Sequence, residues 1–149
     1  MKPTTIYIAS DHRGFRLKEA FGQKLREMGL TLHDLGPEGE ARCDASRFAV
    51  KLAEALQKDA TARGILICGS GQAMAMTANR YKHLRAALCA NATVTRLARE
   101  HNDANVLVLG ADIIGVAVAQ DCLDAFLATE FHGGRYAERR DYLTGLGGI

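Results

Sequence analysis

Five short apolar runs recur along the chain, and amphipathic segments of helical period fill the spaces between them. The runs are TIYIAS (5–10), TLHDLG (31–36), GILICG (64–69), RAALCA (85–90) and NVLVLG (105–110). Between them lie GFRLKEAFGQKLREMG, DASRFAVKLAEALQKD, GQAMAMTANRY and ATVTRLAREH, and IIGVAVAQDCLDAFLATEF follows the fifth. Strands that alternate with helices cannot be joined by hairpins, so the pattern predicts a parallel sheet with helices on both faces. Right-handed crossovers then give an α/β fold, a Rossmann-like three-layer αβα sandwich with a five-stranded parallel sheet. The tail from Gly133 to Ile149 begins with Gly-Gly and continues as a short charged helix, a C-terminal helical tail too short to be a domain. We expect a single domain over residues 1–149, since that length buries a core without staples.

Composition narrows the function. A net charge of +2, with no basic block or basic-aromatic stripe, gives no footprint for nucleic acid. The start, MKPTTIYIASDHRG, has only a short apolar run, too short for a secretory signal or a membrane span, so a cytoplasmic location is expected. The cysteines at 43, 68, 89 and 122 form no C-x-x-C pair, which argues against a zinc site and a disulfide framework. Cys89 ends a strand-like run and Cys122 lies in a helical one, and both read as small buried hydrophobes.

Cys68 is different. It sits where ILIC runs into the turn Gly69-Ser70-Gly71, which opens a helix rich in Ala and Met. Filler is the commoner role for a cysteine at a strand end. Here two glycines clear the space beside it, a helix begins at once, and a hydroxyl lies two residues on. A helix start favours anions and can lower a thiol's pKa, and turn N–H groups can hold an oxyanion or a phosphate. The segment is therefore expected to hold negative charge, with Cys68 a partly accessible thiol. A dinucleotide fingerprint fits poorly, because Met74 stands where its third glycine belongs and the next strand ends without an acid. A cysteine hydrolase stays open, but the turn alone supplies no partner histidine.

In open parallel sheets ligands bind beyond the carboxyl ends of the strands. Those ends carry Ser10-Asp11-His12, Cys68-Gly69-Ser70-Gly71 and Gly110-Ala111-Asp112. HNDAN (101–105) enters the fifth strand and so lies at the other pole, which separates His101 from Cys68 within one chain.

With SDHRGF, ILICGSG, TANR, EHNDANVLVLG and GGRYAERR in this order and at these separations, the sequence resembles the ribose-5-phosphate isomerase B family over nearly its full length. That family also contains galactose-6-phosphate and allose-6-phosphate isomerases. The resemblance implies an aldose-ketose isomerase that needs no cofactor and no metal and moves a proton between the first two sugar carbons through an enediolate. It makes Cys68 the base. Ser70 and the N–H groups of Gly69 to Ala73, including Gly71 and Gln72, would hold the enediolate oxygen. Asp11 and His12 match a substrate-binding pair, His101 a ring-opening acid, and Asn102 a sugar contact. Arg135 and Arg139, four apart on one helical face, would grip the phosphate, with Arg140 pointing elsewhere. The resemblance further implies a homodimer or homotetramer whose active sites are shared between subunits.

Plainer readings stand beside these. Asp11 also suits an N-cap for the helix that follows, and His101 suits a cation at a helix C-terminus. A non-catalytic sugar-phosphate binder or partner subunit is the alternative to an isomerase. The chain also departs from the family. Ala45 stands where an aromatic substrate contact is usual, Ala73 replaces the last glycine of the turn, Tyr136 replaces a histidine, and Asp112 replaces an arginine. A carboxylate about 6 Å from a phosphate dianion costs several kcal/mol at an effective dielectric near 20. Asp112 is therefore expected either to repel phosphate and alter specificity, or to be neutralised by an arginine.

Overall fold

The computed structural model describes residues 2–149. Five strands, β1 (Thr5–Ser10), β2 (Thr31–Asp34), β3 (Arg63–Cys68), β4 (Ala86–Leu88) and β5 (Val106–Gly110), form one wholly parallel sheet in the order β2-β1-β3-β5-β4. Six helices accompany them: α1 (Phe15–Glu27), α2 (Ala45–Lys58), α3 (Gln72–Ala78), α4 (Ala92–Asn102), α5 (Val116–Ala128) and α6 (Arg135–Gly145). The expected α/β sandwich and its charged C-terminal helix are both present.

Strand periodicity sorts the core into two layers. Ile65 and Ile67 of β3, with Leu107 and Leu109 of β5, pack beneath Phe21 and Leu25 of α1 and Leu123 and Phe126 of α5. Their neighbours Leu66 and Cys68, with Val106 and Val108, face Leu52 and Ala53 of α2 and Met74 and Ala78 of α3. Every residue of β3 and β5 is buried, as strands covered on both faces require. The apolar run at 85–90 yields only three residues of strand. This edge strand pairs on one side alone, although the Cys89 N–H still donates to Val108 O at 3.0 Å.

Helix starts follow local chemistry. Asp44 caps α2 by accepting from Ser46 N at 3.0 Å, and Asn91 caps α4 by accepting from Val94 N at 2.9 Å. At the head of α3 the cap is Gly71, whose φ of +80° favours glycine. A Cβ there would also run into Leu88 and the backbone of β5. Strand order decides where these starts matter. From β1 the chain moves outward to β2, then returns across β1 to β3, so the order reverses between β1 and β3. At such a switch point the loops diverge and leave a crevice at the carboxyl ends.

Candidate active site

Two loops flank that crevice. After β1, the Asp11 carboxylate accepts from Arg13 N at 2.9 Å and Gly14 N at 3.0 Å, while Asp11 N donates to Ile67 O of β3 at 3.1 Å. Asp11 is buried and organises the turn into α1, but it is not the helix N-cap: that position is Gly14, which has no side-chain cap. His12 stands beside it with Nδ1 accepting from Cys43 N at 3.3 Å. That bond requires a lone pair on Nδ1, so the neutral ring carries its proton on Nε2.

After β3, Gly71 N donates to Cys68 Sγ at 3.1 Å, and Gln72 N donates to Ser70 Oγ at 3.2 Å. Cys68 is 4% exposed, less open than its place in the sequence suggests, because the turn folds back over its own sulfur. Two of the five N–H groups expected to face an oxyanion, those of Gly71 and Gln72, are thus engaged inside the turn. Ser70, Gln72 and Ala73 are exposed at its outer edge.

The loop after β5 closes the third side. Ala111 N donates to Cys68 O at 2.8 Å and Asp112 N to Gly69 O at 2.9 Å, which zips it to the cysteine turn. The Asp112 carboxylate is neutralised, because Arg13 Nη1 donates to its Oδ2 at 2.6 Å. Of the two outcomes expected for Asp112, repulsion of phosphate or neutralisation by an arginine, the ion pair is the second.

The other expected residues gather at the opposite pole. His101, in the last turn of α4, stacks on Tyr136 of α6 with centroids 4.3 Å apart. The guanidinium carbons of Arg135 and Arg139 lie 5.0 and 5.7 Å from the same tyrosine ring, and Arg135 Nη2 donates to its hydroxyl at 3.1 Å. Asn102 borders a hollow of about 420 Å³ between α4, the segment before β4 and the C-terminal tail. Arg140 does point elsewhere: it donates to Asp103 Oδ2 at 2.9 Å, while Arg99 takes Oδ1 at 2.9 Å. Burial alone would raise the Asp103 carboxyl, but the hydrogen bonds from Arg99 and Arg140 and the charge of Arg85 hold it below its ordinary range. Burial pushes the Cys89 and Cys122 thiols up, in keeping with inert core cysteines.

Donor atoms of Glu100, His101 and His132 lie within 4.8 Å of one another. That span is wider than a zinc shell, whose ligand bonds of about 2.1 Å bring donors to within about 4 Å. Arg96 already holds Glu100 at 2.8 Å. Cys43 and His132 belong to these clusters although no sequence motif marks them, while Arg13 lies within SDHRGF and Tyr136 within GGRYAERR without either motif assigning it a role. Only the C-terminal GGRY signal places Tyr136 near the expected arginines.

Within one chain the two groups do not meet. Cys68 pairs with Gly110 at the end of β5, whereas His101 precedes Val106 at its start. The length of β3, about 16 Å at roughly 3.3 Å per residue, separates the poles.

A parallel sheet with a cysteine-glycine turn at its switch point, an Asp-His loop beside it and a distal histidine-arginine helix pair has the makings of a sugar-phosphate isomerase. Comparison with known proteins supports that class. Residues 6–143 match the ribose/galactose isomerase family. The chain is 34% identical to ribose-5-phosphate isomerase B of Escherichia coli over 141 residues, 95% of each protein. It superimposes on the Thermotoga maritima ribose 5-phosphate isomerase structure with a TM-score of 0.92 at 40% identity, covering 96% of this chain and 99% of that one. The Mycoplasma genitalium ribose-5-phosphate isomerase B, solved with bound ribulose-5-phosphate, gives 0.91 at 37% identity, covering 94% and 93%. The chain belongs to the ribose/galactose isomerase family.

Proposed function

We propose that this protein interconverts an aldose phosphate and its ketose, of the ribose 5-phosphate/ribulose 5-phosphate type, with Cys68 as the base. The observation that carries the reading is the Cys68 sulfur, held by the Gly71 N–H inside a glycine turn at the β1/β3 switch point. Cys68 Sγ, acting as the thiolate, takes the proton from C2 of the open-chain aldose; the electron pair of that C–H bond forms the C1–C2 double bond, and the C1=O π pair moves onto O1 to give the enediolate. The proton returns to C1, and the hydroxyl proton passes from O2 to O1, which leaves the ketose with atoms and charge balanced. With Gly71 and Gln72 engaged, the N–H groups of Gly69, Ser70 and Ala73 are the ones left to meet the oxyanion. Asp11 and His12 orient the sugar hydroxyls, His12 through Nε2–H.

Ring opening and phosphate binding call for a second copy. In this reading His101 protonates the ring oxygen, Asn102 contacts the sugar, and Arg135 and Arg139 hold the phosphate, all reaching the Cys68 turn of a partner subunit. The opposite poles support this arrangement, and so do exposed apolar side chains on α4 and at the entry to α5, namely Val94, Leu97, Ile113 and Val116. Both a homodimer and a homotetramer satisfy it.

The test is proton exchange. Incubated in deuterium oxide with four- to six-carbon sugar phosphates, the protein should exchange the C2 proton of at least one and form its ketose. Binding without exchange across the whole panel would instead support a non-catalytic sugar-phosphate binder.

A further inference from the structure

Resting on the sugar-phosphate reading above, we propose that Arg13 is the phosphate ligand at the Cys68 pole of this protein, and that Asp112 is the counter-charge that holds it over the turn. Position 112, on the loop after β5 at this pole, carries an acid and so supplies no cation itself.

The geometry supplies a cation from another loop. Arg13 comes from the loop after β1 and Asp112 from the loop after β5, and these strands flank β3 on either side. The ion pair they form at 2.6 Å therefore bridges the crevice. It passes directly over Gly69, the residue after Cys68: a Cβ on Gly69 would lie 2.8 Å from Arg13 Cδ and 3.0 Å from Asp112 Oδ2. The glycine makes room for the pair as well as for a ligand.

The pair is suited to recognition more than to stability. Its side chains are 61% and 49% exposed, and ion pairs so placed add little to folding. Asp112 engages one N–H of a guanidinium that carries five, arranged in a fork that matches phosphate oxygens. A dianion approaching from solvent can bond to the outward side of Arg13 while Asp112 keeps the inner side. Holding the arginine in place beforehand lowers the entropy cost of capturing the phosphate.

Calorimetry with ribose 5-phosphate and with inorganic phosphate as probes tests this on the full chain, in a Cys68→Ser background so that turnover does not enter. Arg13→Ala should weaken both probes at least tenfold, and Arg13→Lys, which keeps charge but loses the fork, should fall between Arg13→Ala and the parent. The exchange Arg13→Asp with Asp112→Arg, which returns a cation to the crevice from the other loop, should recover binding to within about threefold of the parent. Circular dichroism checks that each variant is folded. The proposal is overturned if Arg13→Ala binds within twofold of the parent, if the exchanged pair binds as weakly as Arg13→Ala, or if the parent binds neither probe. Loss of proton exchange with phosphate binding intact would remove the isomerase reading and leave this one standing.

Discussion

The imidazole of His101 lies face to face with the ring of Tyr136, with centroids 4.3 Å and planes 10° apart. The same tyrosine carries Arg135 on its hydroxyl and has both Arg135 and Arg139 against its ring. One side chain thus positions the proposed ring-opening acid and both proposed phosphate ligands. Tyr136→Ala should lower kcat/KM about tenfold, the equivalent of a lost aromatic pair of about 1.4 kcal/mol. Tyr136→Phe keeps the stack and loses only the Arg135 bond, so it should stay within about threefold and act on KM rather than kcat. Steady-state kinetics of the two variants distinguish stacking from the hydroxyl contact, and equal losses would show that stacking is not what positions His101.

Cys68→Ser should reduce C2 proton exchange by about a thousandfold, the scale of a lost general base, while circular dichroism remains that of the parent. Cys89→Ala and Cys122→Ala, at buried thiols that burial pushes up, should keep the parent's turnover. If Cys68→Ser turns over at the parent's rate, the base is another residue.

Because His101 and Cys68 lie at opposite poles of the sheet, subunits disabled at different positions should complement. An equal mixture of Cys68→Ser and His101→Ala chains, after subunit exchange, should recover roughly a quarter of the parent activity. Half of random dimers are mixed, and each mixed dimer holds one complete site. No recovery after confirmed exchange would place the whole site within a single chain.

The Asp103 carboxyl titrates lower in the folded chain than in the unfolded one, where a carboxyl of this kind sits near 3.9. Its contribution to stability is therefore complete above that pH and disappears as the pH falls through the folded value. Asp103→Asn keeps a residue that tolerates the local φ of +51° and removes the titration. Between pH 5 and pH 2.5 the urea midpoint should fall less steeply in this variant than in the parent. Parallel curves would show that the Arg99–Asp103–Arg140 cluster does not drive acid sensitivity.

The sequence by itself determined the layers of this protein. Alternation of buried Ile65, Leu66, Ile67 and Cys68 between two helical faces is written in the apolar run of β3, because side chains on successive strand residues point to opposite sides. The Gly69-Ser70-Gly71 turn was equally legible, since turn chemistry is local. Strand order was not, because pairing β3 with β5 rather than with its neighbour in sequence is a contest among distant surfaces that no local signal records. Lys18 shows the same limit: a charge in an amphipathic helix reads as solvated, yet it is 1% exposed and paired with Asp34 at 2.7 Å once α1 lies on β2. Arg13 and Asp112 are 99 residues apart, and an electrostatic pair depends on distance through space, not along the chain. Read alone, Asp112 left two outcomes open, repulsion of phosphate or neutralisation by an arginine. Only the tertiary structure, by bringing the loops after β1 and β5 to either side of Gly69, decided that its charge was already met.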